Sequence, residues 1–133
     1  MKVYISASWR HKHAVQMITM LLRDRGHEVF SFIDNNPQGD SLVTPFEQWV
    51  ETQSAENVFN FTVVSISKSD AVLYIGSSGK DSAAELGIAF AHEIPIVGLW
   101  AKGEDFGVMR KIVDVWVEEY SWAIIQLEKL GKK

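Results

Sequence analysis

Residues Ala71–Ile75 (AVLYI) form an unbroken apolar run closed by a glycine-rich segment, Gly76–Asp81 (GSSGKD). A strand that is apolar at every position has no face to give to water, so helices are expected over both of its faces, as in a parallel sheet. That run points to the α/β class. The rest of the chain keeps the same alternation. Lys2–Ala7 reads as a strand, followed by an amphipathic helix from about His13 to Arg25 with Gly26 placed to end it. Glu28–Ile33 is a second strand, and Asp34–Ser41 (DNNPQGDS) is dense in turn formers. Thr44, Pro45 and Glu47 form a capping box with a first-turn proline, opening a helix that reaches about Ser67, with room for a break. After Ala71–Ile75 come a small-residue helix over Ser82–His92, a buried strand at Pro95–Trp100, a fifth strand at Ile112–Val117 and a last helix from Tyr120 to Leu130.

Alternating strands and helices imply right-handed βαβ units. The expected architecture is a single domain over residues 1–133, an α/β three-layer sandwich of the flavodoxin or Rossmann-like kind. Its five-stranded, mostly parallel sheet is expected in the order 2-1-3-4-5. A chain of 133 residues suffices for one core and not for two. Ligands in such folds bind beyond the carboxyl ends of the strands, where the order reverses. Attention therefore falls on the segments Ser6–His11, Asp34–Ser41 and Gly76–Asp81.

Composition removes several classes of function. The chain has no cysteine, so it has no disulfide, zinc–thiolate site or thiol nucleophile. No apolar stretch approaches the roughly 20 residues of a membrane span, and the first residues lack a signal-peptide core, so a cytoplasmic protein with no membrane partner is expected. The net charge is −4 with scattered Lys and Arg, which argues against long nucleic acid. A single phosphate remains within reach of a few aimed donors. His11 and His13 have a spacing that is no metal signature, and neither a metal nor another cofactor is expected.

Two clusters carry candidate chemistry. In Gly76–Gly87 (GSSGKDSAAELG) a buried strand runs through Ser77, Ser78 and Gly79 into a helix start at Ser82, converging backbone N–H groups on a polar or anionic ligand. Ser82 and Glu85 are also spaced as an S-x-x-E capping box, the structural alternative to a functional glutamate. In the first cluster along the chain, Ser6, Ser8, Trp9 and Arg10 follow the first strand. Ser8 and Arg10 are suited to a phosphate or to ribose hydroxyls and Trp9 to stacking on a base. Their structural alternatives are a helix cap, a solvated cation and a packed indole. Asp34, Asn35 and Asn36 could reach a ligand from the second strand's end or form a turn. The five tryptophans, Trp9, Trp49, Trp100, Trp116 and Trp122, are expected mostly in the core or between subunits.

Two stretches resemble the nucleoside 2-deoxyribosyltransferase family, which includes the 2′-deoxynucleoside 5′-monophosphate N-glycosidases. Val3-Tyr4-Ile5-Ser6-Ala7-Ser8-Trp9-Arg10 is similar to the family's first-strand motif. Ser69–Tyr74, Ala84-Glu85-Leu86-Gly87-Ile88-Ala89 and Ile94-Pro95-Ile96-Val97 resemble its aspartate-strand, E-L-G-x-A helix and following strand in order and spacing. The resemblance implies cleavage or transfer of an N-glycosidic bond of a nucleoside or nucleoside 5′-monophosphate by a retaining mechanism. Glu85 would be the nucleophile, with Tyr4 beside it. It implies that Ser8 and Arg10 hold a 5′-phosphate. A carboxylate in a helix's first turn is expected to be kept ionised by the exposed N–H groups.

Two positions depart from the family pattern. The family's usual aspartate, eight residues before Asp70, is Thr62 here, and its phosphate-binding serine, six before the glutamate, is Gly79, with Ser78 adjacent. Asp70 itself is expected to close a helix–strand turn. Two other readings fit the same residues, a Toll/interleukin-receptor-like NAD hydrolase and a non-catalytic nucleotide sensor. Family members usually form homodimers or larger homo-oligomers, and Trp116, Trp122, Ile124 and Ile125 make such an interface plausible here.

Overall fold

The computed structural model describes residues 1–34, 51–104 and 107–132. Five strands, β1 (Lys2–Ala7), β2 (Glu28–Phe30), β3 (Ala71–Ile75), β4 (Ile96–Leu99) and β5 (Val115–Val117), form one sheet. All pairings are parallel, in the order β2-β1-β3-β4-β5. Among the described residues four helices cover it: α1 (Lys12–Asp24), α2 (Gln53–Ser67), α3 (Lys80–Ala91) and α4 (Tyr120–Leu130). The expected α/β class, parallel sheet and strand order are those observed. No helix among the described residues is long and apolar enough to cross a membrane.

The period-two alternation of the strands divides the core into two layers. Val3, Ile5, Leu73 and Ile75 pack with Val15, Ile18 and Leu22 of α1 and with Ala123 and Leu127 of α4. Tyr4, Val72 and Tyr74 point the other way, toward Ile66 of α2 and Leu86 and Ala89 of α3. Every residue of β3 is buried, as its unbroken apolar run requires. The same alternation puts Tyr4 and Ser6 of β1 on the face where α3 lies. Gly26 has a φ of 91°, the left-handed geometry that lets a glycine close α1. Asp70 clamps the sheet's lower edge: its Oδ2 accepts from Lys2 N at 2.7 Å while its own N–H donates to Lys2 O at 2.7 Å.

Several boundaries differ from the sequence expectation. β2 stops at Phe30, and residues 32–34 curl into a 3-10 turn because the Asp34 carboxylate accepts from Ser31 N at 2.8 Å. β5 is three residues, preceded by a 3-10 turn at Val108–Ile112, and Asp114 turns its carboxylate to Ile96 N at 2.7 Å. The capping box at Thr44, Pro45 and Glu47 lies outside the described residues, as do Asn35, Asn36 and Trp49. Within them α2 is capped by Thr52, whose hydroxyl accepts from Ala55 N at 3.1 Å. The α3 helix begins at Lys80, so Ser82 is not its cap but its third residue and is buried. Of the apolar residues named for a subunit interface, Ile124 is buried in the chain's own core and Trp116 stacks edge-on against Tyr74. Trp122 and Ile125 are exposed.

Candidate active site

A cavity of about 480 Å³ opens beyond the carboxyl ends of β1 and β3, between the start of α3 and the middle of α2. Tyr4, Ser8, Trp9, Thr62, Gly79, Ser82 and Glu85 line it, as do Phe32, Val58, Lys80 and Asp81. Glu85 reaches across from α3 to β1, where Ser6 Oγ donates to its Oε1 at 2.7 Å. The Tyr4 hydroxyl also donates to the Glu85 carboxylate, and the Thr62 side chain stands beside Tyr4. Thr62 sends its own hydroxyl proton to Val58 O at 2.8 Å.

The electrostatics of Glu85 correct the sequence reading. With α3 starting at Lys80, Glu85 stands in the second helical turn, away from the free N–H groups that were expected to hold it ionised. Burial pushes its carboxyl up to about 7, the bonds from Ser6 and Tyr4 pull it back, and the nearby Asp81 charge adds to the rise. Tyr4 is pushed well above its ordinary value, chiefly by burial and then by the adjacent Glu85, so it remains a protonated donor at neutral pH.

Some predicted site residues are brought elsewhere. Arg10 does not line the cavity: its guanidinium donates to Ser77 O at 2.5 Å and to Ser77 Oγ at 2.7 Å. Ser78 is not a lining residue either. Its hydroxyl donates to Ile75 O at 2.6 Å and accepts from Ser8 N at 2.8 Å, joining the loops after β1 and β3. Asp34 is held by Ser31 N and lies 3.5 Å from Arg23. Trp9 sits at the rim, with the Lys12 ammonium 5.2 Å above its ring.

Sequence reasoning missed Lys80 and Asp81. The signal was present, because Asp81 and Glu85 are four residues apart and share one face of a helix. A helix expected to start at Ser82 places Asp81 in the preceding turn.

The loop after β3 is fixed from beneath. Ser78 N donates to the Tyr74 hydroxyl at 3.0 Å, and that hydroxyl donates to Glu104 Oε1 at 2.9 Å. The Arg110 guanidinium lies 5.1 Å over the Tyr74 ring and 3.8 Å from Glu104 Oε1. The Glu104 carboxylate presses on Gly76, where any Cβ would overlap it. We expect Gly76→Ala to cost about 1–3 kcal/mol of stability, seen as a lower denaturant midpoint. An unchanged midpoint would show that this contact relaxes freely.

No family model matches the chain, and no curated protein matches it. Solved structures do. A 2-deoxyribosyltransferase from Bacillus psychrosaccharolyticus superposes with a TM-score of 0.72 at 21% identity, over 96% of both chains. The chain has the 2-deoxyribosyltransferase fold. A Clostridium botulinum CMP N-glycosidase shares this deoxyribosyltransferase fold with a TM-score of 0.62 at 14% identity, over 96% of this chain and 99% of the other. A conserved protein of Enterococcus faecalis gives 0.66 at 13% identity, over 97% and 98%. Coverage is near complete on both sides, so the likeness to the deoxyribosyltransferase fold extends over the whole domain.

Proposed function

We propose that the chain cleaves or transfers the N-glycosidic bond of a nucleoside or nucleoside 5′-monophosphate, with Glu85 as nucleophile. The observation that carries this reading is the placement of Glu85. It stands in a cavity at the switch point of the sheet, with one carboxylate oxygen held by Ser6 and the Tyr4 hydroxyl against the group. Two donors on a partly buried carboxylate orient it toward the cavity, where an anomeric carbon would meet it. Attack there forms a glycosyl ester and expels the base; a second attack, by water or by another base, frees Glu85 with net retention. Ser8, Trp9, Phe32 and Val58 offer the cavity a polar edge and an apolar wall, which suits a sugar carrying a flat base.

The reading is tested by incubating the protein with a panel of nucleosides, nucleoside 5′-monophosphates and NAD, and following release of the free base. Cleavage of nucleosides or monophosphates supports it. Cleavage of NAD alone would favour a nicotinamide-releasing enzyme, and binding without cleavage would favour a sensor.

Acidity gives a second test. A nucleophile must be ionised, and Glu85 ionises at about 7 because burial and Asp81 outweigh the bonds from Ser6 and Tyr4. We therefore expect kcat/KM to climb with pH through the region of 7 and then level off. A profile falling through the same region would make Glu85 the proton donor.

Arg10, tied to Ser77, is expected to serve the loop more than the ligand. Arg10→Ala should then weaken nucleosides and monophosphates alike. A selective loss of about 10- to 100-fold for monophosphates would restore the phosphate role.

A further inference from the structure

Resting on Glu85 as nucleophile, we propose that Asp81 is the general base that activates water to release the sugar from Glu85. In that step the water oxygen bonds to the anomeric carbon as the bond from that carbon to the Glu85 oxygen breaks. The bonding pair returns to Glu85 as a carboxylate, and the water proton passes to Asp81.

Among the described lining residues the titratable groups are Tyr4, Lys80, Asp81 and Glu85. Tyr4 stays protonated and donates a hydrogen bond to Glu85, so it cannot take a proton from water. A lysine ammonium has only donors. Glu85 is the esterified leaving group. Asp81 alone remains as an acceptor. It stands one helical turn before Glu85 on the same face of α3, which puts the two side chains about 5–6 Å apart at Cβ. Asp81 is exposed while Glu85 is partly buried, so water entering from solvent meets Asp81 before it meets the ester.

Charge favours the same assignment. Two free carboxylates this close repel, and Asp81 is one of the causes that raise Glu85. In the ester Glu85 is neutral and the repulsion is gone. It would return when Glu85 leaves as an anion, unless Asp81 gains a proton in that same step. Proton transfer to Asp81 keeps the pair at one negative charge from the intermediate to the product.

The test is Asp81→Asn in the full chain, using the best substrate of the panel. Base release is followed by rapid quench, and the quenched protein is weighed intact. Hydrolysis without its base should slow by roughly 10²–10⁴-fold. Release of the first equivalent of base should stay within about threefold of the parent, giving a burst and a glycosyl adduct on Glu85. Azide, which attacks without losing a proton, should restore turnover in Asp81→Asn, form a glycosyl azide and leave the parent unaffected. The proposal is overturned if burst and steady state fall together without azide rescue, or if hydrolysis is unchanged. If neither protein carries an adduct on Glu85 while base is still released, the covalent reading itself fails. A fold check by circular dichroism and the Asp81→Glu variant, which should recover part of the activity, separate a lost base from a damaged helix.

Discussion

Glu85→Gln should abolish base release while making the protein more stable at alkaline pH. Loss of a nucleophile is expected to cost on the order of 10⁴- to 10⁶-fold in turnover. The amide keeps an oxygen for the Ser6 hydroxyl, which donates to Glu85 Oε1 at 2.7 Å, so the local geometry should survive. Stability follows from the raised acidity. A carboxyl lifted to about 7 in the folded state ionises near its ordinary value once unfolded. Between those limits the native chain holds more protons than the unfolded one, so stability falls as pH rises from about 4.5 to 7 and stays reduced above. Removing the group should return about 1–3 kcal/mol at pH 8 and little at pH 4. Denaturation of both proteins at the two pH values measures this. Equal stability at pH 8 would mean that the carboxylate is solvated and that the site lacks the desolvated nucleophile proposed.

Thr62→Asp should raise turnover on ordinary purine and pyrimidine substrates. Expulsion of a neutral base is helped by a proton, and general acid assistance is worth roughly 10²–10⁴-fold. Thr62 lines the cavity beside Tyr4, so an aspartate there would stand close to Glu85 and its donor. Like charges placed so close favour holding one proton between them, which would supply the acid. The gain should be largest for poor leaving bases and small for nicotinamide, which departs from an already cationic ring. Turnover on a series of bases of graded leaving ability measures it. A uniform change across the series would show that the new carboxyl never reaches the leaving group, as when it takes over the position of the Thr62 hydroxyl on Val58 O.

The fold was legible because β3 and the strands beside it carry their burial in their composition, and apolar periodicity is the strongest signal a sequence holds. The edges were less legible for a physical reason. Short polar side chains ended strands locally, as Asp34 does on Ser31 N and Asp114 on Ile96 N. At the candidate site, Glu85 and Tyr4 were visible through their resemblance to the family motifs, and Ser6 through its place at the end of the first strand. The start of α3 was misjudged because Ser82 and Glu85 imitate a capping box, whereas the true N-cap, Gly79, makes no side-chain bond that a pattern could reveal. The fate of Arg10 was beyond reach. A cation beside a proposed phosphate site looks like a ligand until the backbone shows that Ser77 O occupies it.

The Ser78 hydroxyl, stapled between Ile75 O and Ser8 N and backed by Tyr74 and Glu104, makes a single piece of the two loops beneath the cavity. An insertion in either would be transmitted to the other, and through it to the β1 strand that holds Tyr4 and Ser6. Lineages that change substrate are therefore expected to leave this floor alone and vary the wall that α2 supplies, at Val58 and Thr62. Anyone redesigning the cavity for a bulkier ligand has the same freedom and the same constraint: the helix can be recut, and the stapled loops cannot.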